Sequence, residues 1–466
     1  MSLLFLLGAM NLIYEWIRTE RFGWMLGAVI SFFLSLLSKE SGITFLAVFP
    51  LAVYFFTDTP LRKNIIIVIW MLVPVVIYLI IRHHVLAATA KVSISELDNV
   101  LASAPNGMVK LATAIFILGL YLKILFFPHP LVIDYSYKQI PLIDMSDWRF
   151  MFSLVIYATL VLVAVLGLKK RHFVSFGILY FLITMSIFSN ILVLIGTSFG
   201  ERFMLIPSVG FCLVLAFFGA KVFPSATKDF ASIGELFRAN GKLIGVCSAL
   251  VVLYGFKTIQ RNKDWKDNYT LFAHDVKIAT QSAHMHKYYC DVLSGPDQFE
   301  GKDSAVVAST VETAIVELKK AIEIFPKYAD CYNRLGLIYY KKKIYKEALD
   351  NYNLAIQYNN SNAVFYNNIG TLFFETHDYE NAMKALRRAV ELDPHYADAL
   401  LNLAGIYGTL KDYDNALVYL QRCIKEDPNY AKAYYFLSIT YGFKGDKDNH
   451  DFYMSKYREM TGKNTL

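Results

Sequence analysis

Cysteine is scarce, with five scattered in 466 residues. Cys212 and Cys247 sit inside apolar runs, while Cys290, Cys331 and Cys423 fall in periodic, water-soluble sequence. No CxxC pair occurs, and no spacing suggests a zinc site or a disulfide framework. HExxH, a glycine-rich phosphate loop and a nucleophile elbow are also missing, so no cofactor, metal site or complete catalytic constellation is evident. Lys and Arg exceed Asp and Glu by a net charge of +7, yet no basic stripe with interleaved aromatics is present. That argues against a nucleic-acid partner. The cations collect instead in loops beside apolar runs, as the positive-inside tendency requires.

Charge is what the first ~256 residues lack, and lipid is what such a chain needs around it. Nine apolar segments stand out: Leu3–Ile17, Phe22–Leu37, Gly42–Phe56, Asn64–Ile81, Met108–Phe127, Phe150–Leu168, Phe173–Ile195, Phe203–Ala220 and Lys242–Phe256. A water-soluble core is excluded, because so many runs leave too little polar surface to cover them. Leu3–Ile17 lacks the basic start and A-x-A-like site of a cleaved signal peptide, so it reads as a span. The basic loops are Arg18/Arg21, Arg62/Lys63, Lys169–Arg171 and Lys221–Lys242. They share one side of the membrane only if Met108–Phe127, which contains Lys110 and Lys123, is re-entrant or interfacial. With Lys169–Arg171 and Lys221–Lys242 cytoplasmic, Phe203–Ala220 runs inward, Lys242–Phe256 runs outward and the C-terminal half lies outside the cytoplasm. A bacterial inner membrane and an endoplasmic reticulum are both compatible.

From Lys257 onward the pattern changes to a period of 34. Ala314, Ala348, Ala382 and Ala416 are spaced by it, as are Pro326, Asn360, Pro394 and Pro428. Ala321, Ala355, Ala389 and Cys423 repeat likewise, and so do Gly336, Gly370, Ala404 and Ser438. Small residues let paired antiparallel helices approach, aromatics fill the gaps, and Pro or Asn ends each second helix. This is a tetratricopeptide array. Its full repeats are Ala329–Asn362, Ala363–Tyr396 and Ala397–Tyr430, with a preceding helix pair near Ala283–Leu293 and Val311–Phe325 and an insert at Ser294–Ser304. The fold class is therefore all-α. A polytopic transmembrane bundle (1–256) and a juxtamembrane linker (257–282) precede the repeat solenoid (283–466). Repeat geometry places Asn333, Leu337, Tyr340, Asn367, Thr371, Phe374, Leu401 and Gly405 along a concave groove for a peptide or partner protein. A packed scaffold without a ligand is the plainer reading of any one of them.

Ionisable residues beside the spans mark four places. They are Ser38–Gly42, Arg82-His83-His84, Pro128–Ser136 and Gly200–Ser208. Each pair of opposite charges there has two readings, a functional group or a snorkelling pair within the bundle. Arg82-His83-His84 reads most simply as a snorkelling cluster.

Three of these places carry a resemblance. Leu36–Thr44 (LLSKESGIT), Asp134-Tyr135-Ser136 with Ile140–Ile143 and Asp147–Arg149, Gly200–Phe211 (GERFMLIPSVGF) and Arg261–Asp267 (RNKDWKD) resemble the transmembrane O-mannosyltransferase family that bears tetratricopeptide repeats. The resemblance implies a GT-C-type glycosyltransferase. Such enzymes move a sugar, usually mannose, from a polyprenyl-phosphate carrier to a Ser or Thr hydroxyl outside the cytoplasm. That chemistry needs a carboxylate base, a cation for the departing phosphate and a lateral opening for the lipid. The resemblance implies Arg202, and less directly Lys39, for the phosphate, with Glu201 orienting Arg202 and Asp134 as a further acid. Its acidic catalytic loop lies after the first span, which places it before Met1 here. A complete chain would then lack its base and be an inactive remnant, a membrane-anchored scaffold or half of a split enzyme. A fragment of a longer protein would belong to an enzyme.

Overall fold

The computed structural model describes residues 1–87, 94–227, 232–295 and 303–462. Among them every regular element is a helix. The chain divides into two units, Met1–His284 and Met285–Leu466. The first holds α1 (Ser2–Thr19), α2 (Phe22–Ser38), α3 (Phe45–Phe56), α4 (Leu61–Ala87), α5 (Gly107–Phe126), α6 (Trp148–Leu168), α7 (Phe173–Met185), α8 (Ser208–Val222), α9 (Ile233–Ala239), α10 (Gly241–Asp264) and α11 (Asn268–Asp275).

Among the described residues, α4, α5, α6 and α10 are long and apolar enough to cross a membrane. The helices covering 22–38, 40–56, 173–188 and 208–222 are apolar but shorter. Their outer faces could not stand in water. α10 buries none of its residues, and Val251, Leu253 and Phe256 are 71%, 66% and 69% exposed. An uncovered apolar helix of that length is a surface made for lipid.

Helix pairs in the bundle close on small and hydroxyl residues, as expected where lipid removes the hydrophobic drive between helices. Ser2 and Ser35 share a buried hydrogen bond of 2.8 Å across α1 and α2, and Ser31 Oγ donates to the Phe5 carbonyl. α7 and α8 cross backbone to backbone. A Cβ on Gly210 would lie 2.4 Å from the Gly177 carbonyl oxygen and 2.9 Å from the Phe181 nitrogen. Neither neighbour is a side chain that can rotate away. Gly210→Ala should therefore cost about 1–3 kcal/mol through overpacking, visible as a lower melting temperature in detergent.

The long span expected over Phe173–Ile195 is not one helix. α7 stops at Met185 and a 3-10 turn follows at Ser186–Phe188. Thr184 Oγ1 donates to the Tyr180 carbonyl and Ser186 Oγ to the Ile183 carbonyl, while Asn190 takes a left-handed φ of 57°. Side-chain bonds of this kind compete with the helical ladder. α8 likewise starts at Ser208, five residues later than the apolar run.

The first three basic loops and Lys221, at the start of the fourth, gather at one end of this unit. Lys63 pairs with Glu20, and Arg171 with Asp58 at 2.7 Å. Phe217, late in α8, lies 5.0 Å from His172, with Lys221 over its ring. Arg82 bonds Glu40 at the opposite end, at 3.0 Å. α5 and α6 run in the same direction, since Arg149 sits over Phe116 and Tyr157 Oη donates to the Leu118 carbonyl. The intervening segment 127–147 therefore climbs back to the end from which α5 started. It climbs beside α10, where Tyr254 Oη donates to the Phe126 carbonyl and Lys257 Nζ meets His129 Nδ1, both at 3.4 Å. Residues 257–282, expected as a linker, form the end of α10 and the short helix α11 within this first unit.

The remaining helices are α12 (Ala283–Leu293), α13 (Ser304–Ile324), α14 (Ala329–Lys341), α15 (Tyr345–Tyr358), α16 (Ala363–Glu375), α17 (Tyr379–Leu392), α18 (Ala397–Thr409), α19 (Tyr413–Glu426), α20 (Ala431–Phe443) and α21 (Lys447–Thr461). α13 begins seven residues before the expected Val311. Of the expected insert, 296–302 lies outside the described residues. The 34-residue period sets the turns as well as the core. Lys343, His377, Lys411 and Gly445 all take positive φ at the turn inside each pair. Asp378, Asp412 and Asp446 then cap the second helix by accepting from the backbone N–H of Asn381, Asn415 and Asn449. Such caps satisfy donors that the first helical turn leaves orphaned.

Candidate functional site

The site residues cluster at the end away from the basic loops. Their frame is a buried amide network that the sequence alone did not single out. Asn99 Nδ2 donates to Asn190 Oδ1 at 2.9 Å and to the Ile195 carbonyl at 2.8 Å. Asn190 in turn donates to the Ser198 carbonyl at 3.2 Å. This fixes 190–198, and Tyr121 Oη then accepts from Gly200 N at 3.1 Å. Lone asparagines inside a membrane-facing region are the signal that could have found them, because an unpaired amide there is costly.

Glu201 opens the next 3-10 turn. Its Oε1 accepts from Tyr135 Oη at 2.5 Å and from Val132 N at 3.2 Å. The carboxylate therefore holds the 130–135 loop, and the structure records no bond from it to Arg202. Burial pushes the Glu201 carboxyl above its ordinary range, outweighing the bonds from Tyr135 and Val132 and the distant Arg261 charge. The folded state then keeps this proton at pH values where the unfolded chain has lost it. Stability from this group falls as pH rises from the ordinary carboxylate value through the raised one. Glu201→Gln keeps an acceptor for Tyr135 and removes the titration. Its melting temperature should lack the decline between pH 4 and 8 that this group gives the wild type.

The same loop is pinned from its other side. Ile133 N donates to Asp275 Oδ2 at 2.7 Å, and Arg261 grips both Asp275 oxygens at 2.6 and 2.8 Å. Asp134 has a local task. Its Oδ2 accepts from Ser136 Oγ and Ser282 Oγ, both at 2.5 Å, and from Ser136 N at 3.1 Å. Main-chain bonds continue the contact, from Lys138 N to the Gln281 carbonyl and from Ala283 N to the Tyr137 carbonyl.

Arg202 is exposed, and its guanidinium lies 5.3 Å from the centre of the Phe203 ring, which stacks on Phe188 at 4.5 Å. Among the described residues no carboxylate pairs with it. Lys39 is also exposed and forms no ion pair among them; its neighbour Glu40 is taken by Arg82. The 3-10 turn at Glu40–Thr44 packs against Ser186–Phe188, so Lys39 and Arg202 flank one structural knuckle. Elsewhere in the unit, α5, α6, α7 and α8 line an open apolar pocket of about 410 Å³, bordered among others by Leu122, Phe126, Leu160, Phe181 and Phe211.

In the second unit, the expected groove residues divide into two kinds. Asn333 and Asn367 are buried; Asn333 Oδ1 accepts from Asn368 Nδ2 and Asn367 Oδ1 from Asn402 Nδ2, each at 2.9 Å. Asn402 also reaches Thr371 Oγ1 at 3.3 Å. Tyr340 and Phe374 instead lean on Tyr345 and Tyr379 within their own helix pairs, and Leu401 joins the core beside Leu420. Leu337 is half-buried, and Gly405 has open space at its Cβ position.

Comparison with known proteins agrees with this layout. Residues 89–161 match the family described as Protein O-mannosyl-transferase TMTC, DUF1736. Residues 310–343, 329–362 and 367–431 match tetratricopeptide repeats. Mouse protein O-mannosyl-transferase TMTC1 is 25% identical over 291 residues, 61% of this chain and 28% of that protein. Human TMTC3 is 25% identical over 282 residues, 59% of this chain and 28% of its own length. The Caenorhabditis elegans protein O-mannosyl-transferase F38B6.6 is 25% identical over 259 residues, covering 55% and 35%. Each match is longer than the repeat array and so reaches into the membrane unit, yet each spans little more than a third of the relative or less. Among solved structures, MamA is similar at 24% identity, covering 34% of this chain and 96% of that one, with a TM-score of 0.31. YrrB, described as a TPR protein with an unusual peptide-binding site, is 22% identical over 41% and 92%, with a TM-score of 0.32. By the matched stretch, the relatives and the repeats behind it, this is a membrane protein similar to the tetratricopeptide-bearing protein O-mannosyl-transferases.

Proposed function

We propose that the membrane unit belongs to a multi-pass, GT-C-type transferase that takes mannose from a polyprenyl-phosphate carrier, and that the repeats hold the protein to be modified. The single observation that carries the reading is Arg202, an exposed cation without a carboxylate partner among the described residues; the same unit holds a wholly apolar pocket between α5, α6, α7 and α8. A guanidinium offers a fork of donors that suits a phosphate leaving group, and the cavity suits an isoprenoid chain. Glu201, Asp134 and Asp275 keep the 128–137 loop in place beside it. The basic loops at the far end support placing Arg202 outside the cytoplasm by the positive-inside tendency. The repeats follow α10 toward the same side, in an endoplasmic reticulum or a bacterial inner membrane.

A second reading, a non-enzymatic scaffold, is favoured by one fact. Asp134, Glu201 and Asp275 each already accept hydrogen bonds, which leaves none of the three idle as a base. The two readings separate in an assay of labelled mannose transfer from polyprenyl-phosphate mannose to endogenous protein, in membranes with and without the chain. Transfer that depends on the chain supports the transferase. Identical transfer in both membranes refutes it and leaves the scaffold.

A further inference from the structure

We propose that residues 190–195 form an apolar tip immersed among the acyl chains of the extracytoplasmic leaflet, and that this tip holds the following turn, with Arg202, at the level of the lipid phosphates. The apolar run that begins α7 carries no ionisable residue from Phe173 to Gly200. Near its far end Ile191, Leu192 and Val193 are 44%, 75% and 67% exposed. Three aliphatic side chains in a row suit lipid better than water. The loop is also closed on itself. Asn190 Oδ1 accepts from Ile195 N at 3.0 Å, and Ser189 Oγ from Ile191 N at 3.2 Å. Asn99 Nδ2 donates to the Ile195 and Thr197 carbonyls, and Asn190 Nδ2 to the Ser198 carbonyl. Irregular backbone at membrane depth has to be satisfied from within the protein, whereas in water the same carbonyls would bond solvent.

Helix lengths give the depth. α7 leaves the basic end at Phe173, and its 13 residues rise about 20 Å at ~1.5 Å each. The 3-10 turn at Ser186–Phe188 adds about 6 Å. The tip therefore sits roughly 25 Å above that end, near the far edge of a hydrocarbon layer about 30 Å thick. α8, with 15 residues, returns from Ser208 over about 22 Å, which gives the same level. The path from the tip to Arg202 is braced. The bond from Asn190 to the Ser198 carbonyl and that from Gly200 N to Tyr121 Oη, at 3.1 Å, lead into the Glu201–Met204 turn. Leu205, 65% exposed, adds an apolar contact on the other side of Arg202. A guanidinium flanked by apolar contacts at the leaflet boundary reaches for the headgroups. This second half of the inference deepens the phosphate reading of Arg202 and rests on it.

The test is spin labelling of the full chain in lipid vesicles, after Cys212 and Cys247 are replaced. Molecular oxygen concentrates among acyl chains and a neutral nickel chelate in water, so the ratio of their collisions with a label reads its depth. Leu192→Cys should give the oxygen-dominated ratio of Leu162→Cys, at an exposed position of α6, and the reverse of Lys346→Cys, at an exposed position of α15. Arg202→Cys should fall between the two controls. Leu192 is mostly exposed, so its replacement leaves packing intact, and an unchanged melting temperature checks that the unit has folded. The proposal is overturned if the label at 192 meets nickel as freely as the one at 346, which puts the tip in water. It is overturned equally if that label meets neither reagent, which means that protein covers it, or if the label at 202 matches either control. Labels at the expected depth without chain-dependent mannose transfer leave the tip standing and refute only the transferase. Transfer with a water-exposed tip refutes only the tip.

Discussion

Arg261→Met should destabilise the membrane unit by about 3–5 kcal/mol. Asp275 has no exposed side-chain surface, and Arg261 grips both of its oxygens. Removing the guanidinium leaves a buried carboxylate that His274 compensates only in part. That carboxylate also anchors Ile133, so the 128–137 loop should loosen with it. The effect should depend on pH in a defined sense. Burial alone would raise the Asp275 carboxyl, but Arg261, His274 and the Ile133 N–H outweigh it and hold it below the usual range. The stability it contributes is therefore present above the ordinary carboxylate value, about 3.9, and lost as pH falls through the lowered one. Melting curves in detergent should show a large difference between wild type and variant at pH 7, shrinking toward pH 3. A difference under ~1 kcal/mol at pH 7 would mean that the pair contributes no more than a surface bridge.

On the proposed phosphate role, Arg202→Ala should reduce any chain-dependent mannose transfer by about 10²–10³-fold, the usual loss on deleting one donor to a developing anion. Expression and melting temperature should hardly change, because among the described residues the side chain forms no ion pair and lies over the Phe203 ring. Arg202→Lys should recover part of the activity, since it keeps the charge and loses the two-pronged geometry. Lys39→Ala should cost less, as a second cation on the other side of the same knuckle. Unchanged transfer in Arg202→Ala would remove the phosphate role.

The repeats were legible because their rule is local. A 34-residue period fixes which small residues meet, and the observed helices at Ala329, Ala363, Ala397 and Ala431 keep that step. The positive-φ turns at Lys343, His377 and Lys411 carry no such signal, because only Gly445 among them is a glycine. In the membrane unit the apolar runs were plain, but their ends were not. Hydropathy does not distinguish a helix from the apolar loop after Met185, where serines and Asn190 turn the backbone. Asp134 and Glu201 stood out as charges beside spans. Their partners, Tyr135, Ser282 and Val132, are set by tertiary contacts that no spacing reveals. Arg261 lay within a motif, but its partner Asp275 did not. Repeat geometry alone puts Asn333 and Asn367 on the groove side of their helices. That they also tie one repeat to the next emerges only from the stacking.

Arg202 lies opposite the basic loops only because the chain returns between α5 and α6, and its proposed role depends on that side. Single cysteines can be placed at Pro105, Ser146 and Lys170, after replacing the exposed Cys212 and Cys247. In sealed vesicles, a membrane-impermeant maleimide should label Pro105→Cys and Ser146→Cys from the same side, and Lys170→Cys only from the other. Labelling of positions 105 and 146 from opposite sides would make α5 a full crossing and contradict this topology.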